Sequence, residues 1–432
     1  MNYWHWIFER IKRKLWWRAV AFAVAGTLAA VVALMVEEIF PWQLPFTLTD
    51  DAVDSLLNII ASSMLAVTTF SLGVMTAAFG AATTNVTPRA TKLLMEDDLT
   101  NNVLATFIGA FMFSIVGIIV LKTGSYGENG RAALFLITIV VIALVVIQLL
   151  RWINHLISLG RVGTTIDRVE SAASAALLER LSVPYLGANP WFDTSQRPPD
   201  AVPVFARTTG YIDFIDMRAI SGLCEEAQCD AYLPLNPGAF VFEDTVVAWL
   251  HAPEGLPKHC AGKVAEHFVI EVKRTFDQDP RFGLAVMAEI GSRALSPATN
   301  DPGTAIDVIG RLTRLLSQWA EGRDDVPVHF PRLHLHPLSD ADLFEDAFML
   351  MARDGAGLIE VQLRLQKSLA ALQRQGSDSF RAAAAIQAAM ALERSLQTLS
   401  FEGDRQRLRD LVAEHTGQEG CALSAVQNSA SP

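Results

Sequence analysis

The sequence predicts a membrane all-α domain of four transmembrane helices, followed by a mixed α+β cytosolic domain with a small β-barrel-like module and a helical C-terminal part. Three observations predict it. Hydrophobic residues make up 51% of the 432 residues and mean hydropathy is +0.28, above a soluble average, and the excess sits before Arg151. Basic residues flank the apolar runs asymmetrically. Beyond Arg151 the chain is charged and rich in Ala and Leu, with clustered turn residues. A chain this long exceeds what one hydrophobic core usually serves, so two or more units are expected. The net charge of −11 argues against nucleic acid as a partner.

Four runs are long and apolar enough to approach the roughly 20 residues a span requires. They cover residues 19–36, 56–84, 103–121 and 132–150. The first is flanked by Trp16, Trp17 and Arg18 as an interfacial belt. It is a full span rather than the short apolar core of a signal peptide, so it is expected to be retained. Arg151 and Trp152 close the fourth.

Basic residues then set the direction. The N-terminal segment, residues 1–18, holds Arg10, Lys12, Arg13, Lys14 and Arg18 against Glu9. The loop at 37–54 holds five acids and no base. Arg89 and Lys92 follow span two, Lys122 and Arg131 follow span three, and Arg151, Arg161 and Arg168 follow span four. Ten bases thus fall on one side and two on the other. The rule puts both termini in the cytosol.

Span two carries the most information. Ser55, Ser62, Thr69, Thr76 and Thr83 recur every seven residues, with Ile59, Ala66, Gly73 and Gly80 between them. A seven-residue period keeps this stripe of small and hydroxylated side chains on one face of a left-handed supercoil. Leu57, Ile60, Met64, Val67, Phe70 and Val74 occupy the opposite face. One reading is a helix–helix contact, because small residues let backbones approach closely in lipid. The other is a pore lined by copies of this helix in a homo-oligomer, with no charge ring for ion selection. The four spans contain no acid or base of the proton-relay kind, which argues against a proton-coupled transporter. In span three, Thr106, Gly109, Ala110, Ser114 and Gly117 read as packing positions.

Beyond the spans, residues 152–202 read as a helical stalk and linker. Ile166, Val169, Ala173, Ala176 and Leu177 share one helical face. Breakers crowd residues 184–203, where a domain boundary is placed. Residues 203–252 read as a small β module with strands at 210–216, 230–235, 239–242 and 245–250. Its layout resembles half of a barrel-sandwich module of the lipoyl or biotinyl kind, without a lysine at a hairpin tip. Residues 253–417 read as α/β passing to helical, with strands at 267–273 and 326–336, helices at 283–295 and 304–321, and continuous helix from 340 to about 415. Residues 418–432 are expected to be a disordered tail. Cys224, Cys229, Cys260 and Cys421 all follow the spans, include no CxxC pair, and are expected to be reduced in the cytosol.

Two stretches carry a family resemblance. One is Thr87-Pro88-Arg89, Asp97-Asp98, Asn102-Val103-Leu104 and Phe107-Ile108-Gly109. The other is Arg274-Thr275-Phe276-Asp277-Gln278-Asp279, then Arg293-Ala294-Leu295-Ser296-Pro297 and Asn300-Asp301-Pro302-Gly303-Thr304-Ala305. Both resemble the bacterial predicted membrane proteins of domain-of-unknown-function family 2254, where a larger residue is expected at Gly303. The resemblance implies a multi-pass protein of the bacterial inner membrane and carries no established activity.

Physically, Ser296-Pro297 ends one helix, and Asn300 or Asp301 can cap the next with Pro302 at its first position. Arg274, Asp277, Gln278 and Asp279 lie upstream of Arg293 and are expected to form a buried polar latch with that turn. The sharper alternative is a hard-cation site made by Asp277, Asp279 and Asp301. His334 with His336, and His259 with Cys260, lack a third ligand nearby. No phosphate loop, dinucleotide fingerprint or nucleophile elbow occurs, and nothing places a nucleophile beside a base. The sequence therefore favours a non-enzymatic homo-oligomeric pore lined by span two, with no cofactor, and the lipid bilayer, a small ion or a cytosolic ligand as its partners. The alternative is a membrane-anchored ligand sensor or scaffold.

Overall fold

The computed structural model describes residues 15–39, 50–90, 93, 95, 97–124, 126, 128–158, 161–322 and 326–428. The basic cluster from Arg10 to Lys14 and residues 40–49 of the acidic loop, used above for orientation, lie outside the described residues. The chain divides into two compact units, Tyr3–Thr165 and Ile166–Pro432.

Among the described residues, the first unit holds four helices long and apolar enough to cross a membrane: α1 (Leu15–Ile39), α2 (Asp50–Asn85), α3 (Asp98–Lys122) and α4 (Glu128–Ser158). They match the four predicted runs. Helix α3 is central, packing on α1, α2 and α4. Its small residues make this possible. A Cβ on Gly109 would stand 2.8 Å from the Phe22 carbonyl oxygen, and one on Gly26 would stand 3.2 Å from the Gly109 carbonyl carbon. The α1 and α3 backbones therefore touch, as small residues allow in lipid. Two apolar clusters surround this crossing, one with Leu57, Phe113 and Leu134, the other with Ile60, Met64, Phe107 and Trp152. Helix α2 has 36 residues, or roughly 54 Å at 1.5 Å per residue. That exceeds the roughly 30 Å hydrocarbon layer, so the helix must tilt or project beyond it.

The second unit continues α5 (Val162–Ser182) from Ile166 onward. Among the described residues, eight strands follow in two sheets. The larger has the order β1 (Ala188–Pro190), β8 (Phe330–Leu335), β4 (Asp230–Leu233), β6 (Val246–His251), β2 (Val202–Phe205). β8 runs parallel to both of its neighbours, and the other pairs are antiparallel. The smaller sheet is antiparallel, with β3 (Gly210–Ile215) between β5 (Phe240–Val241) and β7 (Phe268–Glu271).

This corrects the expected barrel-like module. Among the described residues there is no closed barrel, because successive strands of the stretch 203–252 alternate between the two sheets and β8 enters from far along the chain. A helix, α6 (Met217–Glu226), also interrupts a stretch read as wholly β. Its start is capped by Asp216, which accepts the Ala219 N–H at 3.1 Å. The breaker-rich residues 184–203 supply β1 and β2 to the larger sheet, so they belong inside this unit. Short helix α7 (Cys260–Ala265) packs with α6 and β2.

The helical part comprises α8 (Pro280–Ala294), α9 (Pro302–Ala320), α10 (Asp340–Asp354), α11 (Ile359–Leu372), α12 (Asp378–Thr398) and α13 (Glu402–Asn428). The last continues past Gly417, where the sequence predicts a disordered tail. Arg281 of α8 pairs with Asp346 at 2.6 Å and Asp342 at 2.5 Å on α10. Arg311 of α9 reaches Glu170 of α5 at 2.7 Å.

Candidate functional site

Every stripe residue of α2 is exposed within this chain: Ser55, Ser62, Thr69, Gly73, Thr76, Gly80 and Thr83. Nothing lies within 4 Å of a Cβ built on Gly73 or Gly80. Leu57, Ile60 and Met64 on the other face are buried. Packing inside one chain therefore does not use the stripe. Its hydroxyls are satisfied locally, each donating to the carbonyl four residues back: Ser62 to Asn58 at 2.8 Å, Thr69 to Leu65 at 2.9 Å, Thr76 to Leu72 at 2.8 Å and Thr83 to Phe79 at 2.8 Å. With the single hydroxyl proton used inward, only acceptor lone pairs face outward. Beyond α2, Pro88 and Arg89 stand exposed in a turn closed by the Ala90 N–H on the Thr87 carbonyl at 3.1 Å.

The motif residues from Arg274 to Asp279 assemble a second, buried site. Asp279 caps α8 by accepting the Phe282 N–H at 3.1 Å. Arg274 grips the same carboxylate with two nitrogens, at 2.7 and 3.0 Å. Burial raises the Asp279 carboxyl above the usual carboxylate range, against the pull of Arg274. Gln278 accepts the Ile215 N–H of β3 at 3.0 Å, and Thr275 donates to buried Asp213 at 2.6 Å. Arg180 enters from α5, 6% exposed. It donates to Asn236 Oδ1 at 2.9 Å and to the Gln278 carbonyl at 3.1 Å. Burial lowers its guanidinium to about 10, with Asp279 and Glu179 opposing the fall. Beside this network lies a cavity of about 80 Å³, lined in part by Glu179, Arg180, Met217, Arg218, Asp277 and Gln278.

The turn between α8 and α9 is a separate structure. Asp301 caps α9, accepting the Thr304 N–H at 3.0 Å and the Thr304 hydroxyl at 2.6 Å, with Pro302 at the first helical position. Asn300 takes a left-handed φ of +48°, and Ser296 closes the preceding bend by accepting the Asn300 N–H at 2.8 Å on its carbonyl. Pro297 is exposed at that bend and Arg293 half-buried in the last turn of α8. Asp279 stands before α8 and Asp301 beyond it. The 15 residues of α8 set the two carboxylates roughly 20 Å apart at 1.5 Å per residue. The structure thus splits the expected single latch in two, and Asp277, Asp279 and Asp301 do not form one cation site. Among the described residues no three His, Cys, Asp or Glu side chains form a metal-holding group. His334 stacks on Tyr232 at 4.6 Å, and His336 Nδ1 lies 3.1 Å from the Trp191 carbonyl.

Sequence reasoning missed Arg180 and Asn236. Arg180 did carry a signal: it follows Ala173, Ala176 and Leu177 on the buried face of α5, where a charge requires a partner. Also missed was a largely buried cluster at the start of α3, where His155 Nε2 lies 2.8 Å from Asp97 Oδ2 and Asp97 accepts the Thr100 N–H at 3.0 Å.

The chain matches a family described as "Predicted membrane protein (DUF2254)" over residues 12–371. It is 27% identical over 286 residues to an uncharacterized protein of Mycobacterium tuberculosis and to one of Mycobacterium bovis, covering 64% of this chain and 54% of each relative. The chain thus spans about half the length of the curated relatives it matches. No solved structure matches it.

Proposed function

Because the chain belongs to the DUF2254 family of predicted membrane proteins, we propose that it acts without enzymatic chemistry as a homo-oligomeric pore of the bacterial inner membrane, with α2 lining the path and both termini in the cytosol. The observation that carries this reading is the exposure of the whole Ser55-to-Thr83 stripe while Leu57, Ile60 and Met64 on the opposite face of α2 are buried. Four helices cannot enclose an aqueous path alone, so several copies must contribute one α2 each. The outward lone pairs of Ser62, Thr69, Thr76 and Thr83 then line the path with acceptors. Such a lining favours cations and neutral donors over anions. The test is conductance of the purified full-length protein in planar bilayers, compared with Thr69→Leu and Thr76→Leu. Reproducible currents with a cation-favouring reversal potential, altered by either substitution, support it. Silence across ions, voltage and tension refutes it.

A second reading, a membrane-anchored sensor, is favoured by one observation. The motif residues Asp277 and Gln278 line the cavity with Arg180, where a small ligand would meet charged groups of both signs.

A further inference from the structure

Helix α6 ends in a turn that sets two thiols against each other. The Cys229 N–H donates to the Cys224 carbonyl at 2.9 Å, and the Gln228 N–H to the Glu225 carbonyl at 3.4 Å. Gln228 between them has a left-handed φ of +48°. These are the two reversed bonds of a Schellman helix end, a motif that also brings the flanking side chains into contact. In this motif the two side chains that meet are those of Cys224 and Cys229, and a disulfide needs Cα atoms within roughly 4.4–6.8 Å. The Cys224 and Cys229 thiols lie within interaction range of each other, and Cys260 at the start of α7 lies within range of Cys229. All three are buried.

Filling a core needs no sulfur, and an Ala or Val would occupy any one of these places. Arg332 pairs with Asp230, the residue after Cys229, at 3.6 Å, which brings a cation close to that end of the helix. We propose that Cys224 and Cys229 form a dithiol site that a hydroperoxide oxidises to a disulfide, with the Cys229 sulfur attacking the peroxide. In the first step the Cys229 thiolate forms an S–O bond and the O–O bond breaks, giving Cys229 sulfenic acid and hydroxide. In the second, Cys224 sulfur attacks Cys229 sulfur, the S–O bond breaks, and the Cys224 proton leaves with the hydroxyl as water. The two sulfurs lose two electrons and the peroxide gains them; the hydroxide takes up the proton that Cys229 released on ionising, so hydrogen peroxide leaves one disulfide and two waters.

The thiol energetics agree with this order. Hydrogen bonding from Cys224 lowers Cys229 to about 7, against burial and aided by Cys260 and Arg332, while Asp230 opposes. Cys224 is pushed far up by its bond to Cys229 and by burial. Burial raises Cys260 to about 11. The thiolate is the reactive form, so Cys229 is the nucleophile. Access comes through the helix end, where Gln228 is exposed and local opening costs least.

The test uses the reduced full-length protein in detergent, treated with hydrogen peroxide, alkylated and mapped by mass spectrometry. Free thiols are expected to fall from the four in the sequence to two, with a Cys224–Cys229 linked peptide that dithiothreitol reverses. Cys260→Ser should still form that link. Cys224→Ser should leave a sulfenic acid on Cys229 that dimedone traps. Four intact thiols after peroxide, a Cys229–Cys260 link, or oxidation confined to Cys421 would overturn the proposal. If Cys224→Ser fails to fold, the wild-type and Cys260→Ser maps decide.

Discussion

Gly238 holds the buried polar network together, and Gly238→Ala should break it. The glycine follows Asn236-Pro237 in a turn whose N–H donates to the Ile212 carbonyl at 2.8 Å, with φ at +94°. A left-handed backbone costs an L-residue roughly 1–2 kcal/mol. The added methyl would also sit 2.5 Å from Asp279 Cγ and 2.7 Å from Oδ1, too close for either to remain. Asp279 would have to leave Arg274 or the α8 cap. Breaking a buried pair costs roughly 3–5 kcal/mol when one partner is lost, and a displaced partner costs a part of that. A total of about 3 kcal/mol is a conservative sum of these terms. For a unit of this size it lowers Tm by roughly 6–12 °C. The assay is thermal unfolding of the full chain in detergent, followed by a thiol-reactive dye that reports exposure of Cys224, Cys229 and Cys260, all in this unit. Gly222→Ala is the control. Gly222 lies in α6 with open space around it and no positive φ, so alanine there should raise stability by roughly 0.5–1 kcal/mol. Melting of Gly238→Ala within about 2 °C of the wild type, below one kcal/mol of damage for this size, would refute the reasoning.

Three further outcomes are expected. Asp301→Ala should cost roughly 1 kcal/mol as a lost cap while Asp301→Asn, which still caps, costs little; an equal loss in both would point instead to a role for the charge, read by chemical denaturation. The Thr304 side-chain and backbone bonds hold the Asp301 carboxyl below its ordinary range, so its contribution is present above about pH 4 and is lost as pH falls through the lowered value. The gap between wild type and Asp301→Ala should accordingly close in acid. Gly109→Leu should separate α1 from α3, since even a Cβ there meets the Phe22 backbone. Aggregation on heating in detergent at a clearly lower temperature than the wild type checks this, and unchanged behaviour would mean that the crossing at Gly26 and Gly109 is not formed.

Much of the first unit was legible in the sequence. The four helices, the seven-residue stripe on α2 and the small-residue positions of α3 all follow from spacing along one helix, which a chain displays without knowing its neighbours. The Asp301-Pro302 helix start was legible for the same reason. Asp279-Pro280 carries the same signature, and α8 begins there rather than at Gly283, where the sequence reading starts it.

What the tertiary structure alone decided involves partners far apart in the chain. The division of residues 203–252 between two sheets depends on β8, which inserts parallel between β1 and β4 from about a hundred residues away. Alternating hydrophobicity marks a strand but does not name its neighbour. Arg180, Asn236 and Gln278 meet across separations of 56 and 98 residues, while Asp279 and Asp301, close in sequence, are held apart by the rigid rise of α8. Cys260 likewise joins Cys224 and Cys229 only because α7 packs on α6. Local geometry sets which face of an element a residue occupies. Only the packing of those faces to exclude water determines which distant residues share a site.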